Sequence, residues 1–248
     1  MVGVDHFYLY NNGSADHFKE VLQPYVNDGI VTLIEWPDVD REHWENIEYA
    51  WVFHTQGPAM EHACRIAARD ETTWLAMIDI DEFLVPKNQT KITEVLQKHS
   101  DAPGVRVCWQ IYGTSGIRKL PENVLLIEAL NMTAEPNHHL NAIEKSIVKP
   151  ELFLSFIKPP HTCQFPDGGR GVYLEKGEIQ INHYINRTID YFTEMKVKKK
   201  EAMDNVKISP CYLEWWSMVG NDVQDQERSI HRFIPQLRQK LGFDPPQA

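Results

Sequence analysis

Three compact runs of β-forming residues, alternating with apolar residues at helical spacing, fill the first hundred positions and constrain the fold more than any other feature. His6–Tyr10, Ile30–Ile34 and Trp74–Asp81 read as strands. Phe18, Val21, Leu22 and Tyr25 share one face of a helix, and Pro58–Arg69 and Thr90–His99 read as two more. Ser14 or Asp16 suits the cap of the first helix and Gly29 its end. Gln56-Gly-Pro58 punctuates the start of the second, with proline at the first helical position. This β-α-β-α-β-α order predicts a parallel sheet with helices on its faces.

The pattern changes after residue 100. Val105–Tyr112, Asn123–Leu130, Ile143–Val148, Leu152–Phe156 and Glu178–Tyr184 are short strand-like runs between turn-rich stretches such as Pro166–Gly171. Two helices, Thr188–Asn205 and Val223–Leu241, close the chain. No repeat or linker divides it. The expectation is one domain over residues 1–248: a nucleotide-sugar half at 1–100, an acceptor and metal half at 101–205, and a helical segment at 206–248.

Composition narrows the function classes. The 248 residues carry 25 basic and 35 acidic side chains, a net charge of -10, which disfavours a nucleic-acid partner because phosphate binding needs a positive surface. No apolar run reaches the roughly 18 residues of a membrane span, so no transmembrane segment and a cytoplasmic location are expected. Peripheral membrane contact through Lys196–Lys200 is a minority possibility beside a solvated helix face. Cys64, Cys108, Cys163 and Cys211 form no CxxC pair and read as reduced core thiols. Asn-x-Ser/Thr sequons begin at Asn12, Asn88, Asn131 and Asn186, a pattern too short to carry weight.

The third strand ends in a puzzle. Trp74-Leu-Ala-Met-Ile78 is greasy, yet Asp79, Asp81 and Glu82 follow at once. A continuously apolar strand is usually central, and open α/β sheets bind ligands beyond the carboxyl ends of such strands. Alternation would put Asp79 and Asp81 on one side, with Ile80 and Glu82 on the other. Two carboxylates together repel, and a divalent cation with oxygen ligands, Mg²⁺ or Mn²⁺, removes the conflict. The bland alternative has one aspartate capping the next helix and the other pairing with Lys or Arg. If all three acids turn to salt bridges, the metal reading fails at its root.

These residues resemble a known family. Asp79-Ile-Asp-Glu-Phe-Leu84 is similar to the DxD motif of GT-A glycosyltransferases, in the form found in glycosyltransferase family 92 and its bacterial relatives. The resemblance extends to Gly3–Ser14, Gln56-Gly-Pro58 with Trp74, Tyr112–Gly116, Lys145–Pro150, His161, Asn182-His-Tyr184, Arg187 and Lys196, in the family's order. Its first strand and helix ordinarily precede the segment like Gly3–Ser14. The fold implied is therefore α/β, a GT-A-like (Rossmann-like) mixed sheet with flanking helices that lacks the usual first strand.

The resemblance implies a metal-dependent hexosyltransferase using Mn²⁺ or Mg²⁺, a UDP-sugar donor, galactose among the candidates, and a glycan or other glycoconjugate acceptor. Asp81 would be the main metal ligand, Asp79 would serve the ribose or metal, and His183 would complete the shell. His183 alone more often marks a core histidine bonded to backbone. Asn12, Ser14 and Asp16 lie where such folds contact uracil or ribose, although turn and capping chemistry explains them nearly as well. Lys145, Lys149, Arg187 and Lys196 could face the diphosphate.

Inverting transfer also needs a base for the acceptor hydroxyl. Glu128, Glu135, Glu144 and Asp167 are candidates, with Glu144 and Asp167 carried forward, the latter because Gly168-Gly-Arg-Gly171 makes a flexible loop. Trp109, Tyr112, Trp215 and Trp216 are possible stacking platforms, buried aromatics being commoner. The competing function is a degenerate transferase-like module that binds glycan or protein without activity. Haloacid dehalogenase phosphatases also place D-x-D at a strand end, but they want Thr or Val where Phe83 stands.

Overall fold

A computed structural model describes residues 1–36, 55–198, 207, 209, 213, 214, 216, 218–224 and 227–243. Trp215, Cys211, Lys199, Lys200 and the helical stretch expected to Asn205 lie outside the described residues.

The first two strands do pair in parallel. β1 (Phe7–Asn11) runs beside β2 (Val31–Glu35), joined through α1 (Phe18–Asn27). Asp16 accepts from the Phe18 amide at 3.2 Å, and Gly29, at φ +70°, ends the helix in the left-handed conformation that a Cβ would disfavour. No residue of α1 is buried, so its apolar stripe finds no core. α2 (Gly57–Arg69) starts one residue before the expected Pro58, which lies in its first turn, and buries Ala59, Ala63, Cys64 and Ala67.

The parallel pattern stops there. β3 is only Leu75–Ala76, β4 is Glu82–Pro86, and both join a larger mixed sheet. That sheet runs β3-β7-β5-β11-β4, with β5 (Gly104–Ile111) and β11 (Ile179–His183) parallel to each other. β7 (Glu144–Val148) lies antiparallel to β3 and β5, and β4 antiparallel to β11. β10 (Val172–Tyr173) adds to the far end of β5. Smaller pairs are β6 (Met132–Thr133) with β12 (Val223–Gln224), and β8 (Ser155–Lys158) with β9 (Thr162–Gln164). The architecture is mixed α/β, with the buried strands β5 and β11 at its centre.

Several expected elements differ. Trp74–Asp81 is not one strand: the chain leaves the sheet after the Met77 amide bonds the Ser146 carbonyl. It then turns, the Glu82 amide donating to the Asp79 carbonyl at 3.1 Å. The cause is local, because the Glu82 carboxylate takes the Asp79 amide at 3.0 Å and holds a turn that an extended strand would lose. Ile80 is left 81% exposed at the tip. Asn123–Leu130 contains α4 (Leu126–Ala129) instead of a strand, nucleated when Glu128 caps the Leu125 amide at 2.9 Å. Residues 150–152 form a 3-10 turn before β8. The helix after Thr188 is α5 (Ile189–Tyr191), continued as a π-helix over Phe192–Val197. Val223 begins a strand, and only Ile234–Leu241 is α-helical near the end, after a 3-10 turn over Ser229–Phe233.

The sheet is covered on both faces. Leu84, Val105, Val107, Trp109, Ile111, Ile147, Ile179 and Ile181 pack with α3 (Ile92–Leu96) on one side. Val85, Tyr112 and Tyr184 pack with Leu130, Ile230 and Phe233 on the other. Where β5 ends, Gly113 meets Gly220 backbone to backbone: a Cβ on Gly113 would stand 2.5 Å from the Gly220 carbonyl. Gly113→Ala is therefore expected to destabilise the fold by about 2 kcal/mol, the scale of a core overpacking strain, measurable as a lower urea midpoint. An unchanged midpoint would show that this contact yields without cost.

Candidate active site

Register brings the polar residues together. Glu82 pairs with His183, His183 with Ile111, and Lys145 with Val107 two residues before Trp109. Cross-strand partners share a face, so Glu82, Lys145, Trp109 and His183 project from one side of the central sheet. They sit where the parallel strands β5 and β11 end, which is where open α/β sheets hold ligands. The Asp79–Glu82 turn closes over that end, the Tyr184 amide bonding the Asp81 carbonyl at 3.0 Å.

All three acids face cations. Asp79 accepts from Lys145 Nζ at 2.8 Å and from Gln56 Nε2 at 2.7 Å. Glu82 Oε1 lies 3.5 Å from the same ammonium. Asp81 accepts from Lys196 Nζ at 2.8 Å through one oxygen and stands 3.5 Å from His183 Nε2 through the other. The alternation argument is thus corrected, since residues 77–81 are not a strand. Asp79 and Asp81 are each held by their own lysine, and Glu82, expected to point away, belongs to the cluster. The ion-pairing half of the bland alternative is realised: both aspartates form the salt bridges that tell against a metal, while Glu82 Oε1, at 3.5 Å from Lys145, makes no hydrogen bond.

Burial sets the protonation. Desolvation pushes the Glu82 carboxyl up to about 8, aided by the neighbouring Asp79 and Asp81 charges against the pull of Lys145. Burial lowers His183, which is therefore neutral near pH 7 despite Asp81 beside it. For Asp81 burial alone would raise the carboxyl, but the His183 contact and the Lys196 charge prevail and hold it well below the usual carboxylate range. Two carboxylates and two ammoniums then balance. A raised Glu82 value means its protonated form stabilises the fold fully below about pH 4.5, and that stability is lost as pH rises towards about 8. Glu82→Gln should remove this loss, so its urea midpoint relative to the parent should climb across that window. Parallel curves would contradict the burial argument.

Several buried polar atoms in and beside the cluster have no hydrogen-bond partner: Gln56 Oε1, Glu82 Oε1, His183 Nδ1 and Trp109 Nε1. Such orphans are uncommon in native proteins and ask for an explanation. Glu82 Oε1 and His183 Nδ1 face each other at 3.9 Å, both side chains almost wholly buried. A second imidazole flanks the group. His161 stands 5.6 Å from Trp109, ring to ring, as His183 does at 4.4 Å. Its Nδ1–H donates to the Glu144 carbonyl at 2.9 Å, and burial with the Lys145 charge lowers it to about 4.

Other expected site residues lie elsewhere. Glu144 is tied to Arg106 at 2.8 Å, and exposed Asp167 accepts from the Gly169 amide of its own loop. Glu128 caps α4 and pairs with Arg238. Asn12 donates to the Trp36 carbonyl just past β2, and the Ser14 amide donates to Asn11 Oδ1 in the turn after β1. Arg187, at φ +50°, lays its guanidinium over Tyr191 at 4.4 Å. Lys149 faces Trp74. Tyr112 is core, its hydroxyl donating to the Glu227 carbonyl at 2.7 Å, and Trp216 packs against the sheet. Gln56 was read as helix punctuation and as part of the family resemblance, and its role as a partner of Asp79 is what the sequence missed. No local signal marks a side chain reaching Asp79 across 23 positions.

The comparisons decide the family. The Glycosyltransferase family 92 model matches residues 1–214. The chain belongs to glycosyltransferase family 92. A family 92 protein of Oryza sativa subsp. japonica is 29% identical over 198 residues, covering 78% of this chain and 30% of the relative. A family 92 protein of Ricinus communis is 27% identical over 198 residues, with 78% and 32% covered. One from Arabidopsis thaliana is 26% identical over 203 residues, with 77% and 32% covered. The chain thus aligns with about a third of the length of these family 92 relatives. No described helix is long and apolar enough to cross a membrane.

The cluster can be tested against a divalent cation. Among the described residues no group of three or more His, Cys, Asp or Glu side chains is arranged to hold one. Two donors do fit: an ionised Asp81 and a neutral His183 imidazole, 3.5 Å apart. Mg²⁺ and Mn²⁺ are commonly held by one or two protein ligands with substrate phosphates and water supplying the rest. Asp79, with one oxygen on Gln56 and the other on Lys145, is committed elsewhere.

Proposed function

We propose that this chain carries the donor site of a metal-dependent hexosyltransferase that takes a UDP-sugar and transfers the hexose, with inversion, to a glycan or other hydroxyl acceptor. The observation that carries it is the buried, charge-balanced cluster of Asp79, Asp81, Glu82, Lys145, His183 and Lys196 beyond the ends of β5 and β11, with polar atoms left unpaired. The family supports glycosyl transfer, and within that family reading the donor is a nucleotide sugar, galactose included.

Asp81 and His183 would hold the Mn²⁺ or Mg²⁺, which supplies charge stabilisation to the leaving diphosphate without proton transfer. Occupation of His183 Nε2 leaves Nδ1–H for Glu82 Oε1, pairing two atoms that are otherwise orphaned; carboxylates behind metal-bound imidazoles orient them in this way. Lys145, locked between Asp79 and Glu82, fixes the turn that presents Asp81. In the transfer the acceptor oxygen bonds the anomeric carbon as the bond to the diphosphate breaks, and the hydroxyl proton passes to a base. Neither Glu144 nor Asp167 stands in the cluster, so no described carboxylate is assigned that step.

The experiment is release of nucleoside diphosphate from a panel of UDP-sugars, with Mn²⁺, with Mg²⁺ and with chelator. Turnover only with metal is expected. Glycan binding with no turnover and no nucleotide binding would identify a binding module instead.

A further inference from the structure

The two lysines of the cluster are not equivalent. Lys145 is 1% exposed and bridges two acids, whereas Lys196 is 30% exposed and, among the described residues, pairs with Asp81 alone, at 2.8 Å. Its helix is a π segment pinned by buried Phe192 and Val197, with Lys196 between them at the solvent boundary. Such segments recur at functional sites. An ammonium on a four-carbon stem can leave its partner while the backbone stays anchored. It also occupies an oxygen of the carboxylate to which a divalent cation would come. Two cations cannot share that carboxylate closely without repulsion, so one must move. A displaced ammonium near the ends of β5 and β11 then needs an anion, and a diphosphate brings one.

We propose that Lys196 is an exchangeable counter-charge: it neutralises Asp81 in the ligand-free protein and passes to the diphosphate when a cation takes Asp81, coupling the two ligands. This rests on the assignment of Asp81 as a cation ligand. By linkage each ligand raises the affinity for the other, and the cation alone binds against the competition of the lysine.

Free Mn²⁺ is titrated by electron paramagnetic resonance with the whole chain, with and without UDP, in the parent, Lys196→Met, Lys196→Arg and Asp81→Asn. In the parent, UDP should tighten Mn²⁺ binding about tenfold or more, within the usual range of coupling between sites. Lys196→Met should bind Mn²⁺ alone several-fold tighter and show a smaller further gain from UDP than the parent, the part that direct ligation by the phosphates supplies. Lys196→Arg, which keeps the charge, should keep the coupling. Mn²⁺ affinity unchanged or weakened in Lys196→Met, with the UDP effect intact, overturns the exchange. Asp81→Asn separates the two claims. If it binds Mn²⁺ as the parent does, the cation assignment itself fails; if it loses binding while Lys196→Met gains none, only the exchange fails. Lys196→Gln, equally neutral and more polar, repeats the test should the methionine variant fold poorly, and circular dichroism confirms folding.

Discussion

Asp81→Asn is expected to lower metal-dependent turnover of the sugar-nucleotide donor by about 10²–10³-fold, the scale of losing one preorganised stabiliser of developing negative charge. Asparagine keeps the shape of the side chain and removes the charge, so the effect reports on the carboxylate. Asp81 is the acid best suited to the test. It is held ionised by His183 and Lys196, and among the described residues its second oxygen faces an imidazole 3.5 Å away. Stability should fall by somewhat more than the roughly 1 kcal/mol of a surface pair, because Asp81 is 11% and Lys196 30% exposed and the ammonium loses its partner, so folding is checked by urea unfolding beside the rates. Steady-state rates with saturating Mn²⁺ give the answer. Equal turnover by the variant would remove Asp81 from the site.

Lys145→Met should act on the fold. Its ammonium is 1% exposed, within 2.8 Å of Asp79 and 3.5 Å of Glu82, and methionine matches the stem without the charge. Removing one partner of a buried pair commonly destabilises by about 3–5 kcal/mol, because the remaining charge loses its compensation. Gln56 still supports Asp79, and Glu82 can stay protonated, so the lower end is expected. The deficit should shrink as pH falls, since protonating the stranded acids removes the charge that lysine offset. Urea unfolding at several pH values measures both. A loss under about 1 kcal/mol that does not vary with pH would show that Lys145 is not the keystone of the turn.

The central sheet was legible because its strands are dense in β-formers between clear turns: Val105–Tyr112, Ile143–Val148 and Glu178–Tyr184 each match an observed strand within a residue or two. The strand pattern placed His183 at the end of β11, but its role beyond a core histidine came only from the family resemblance. The segment of residues 77–82 was misread because its conformation depends on a side chain, Glu82, bonding a backbone amide three residues earlier. No apolar pattern records that bond, and it moved Glu82 into the cluster and Ile80 out to solvent. Asn123–Leu130 failed likewise, where the Glu128 cap outweighed a run of strand-like residues. Lys145 and Lys196 entered only through family resemblance, since a lysine in sequence carries no sign of the acid it will meet 66 or 115 positions away. Glu144 and Asp167 fell away because chain spacing says nothing of distance in the fold.

The most direct measurement is anomalous diffraction near the manganese edge from crystals grown with Mn²⁺ and UDP. A single strong peak in coordination contact with Asp81 and His183, with Lys196 turned to the diphosphate, is the result expected. A peak away from Asp81, or bound UDP with Lys196 still seated on that carboxylate and no metal beside it, would contradict the assignment of this cluster as the cation and donor site.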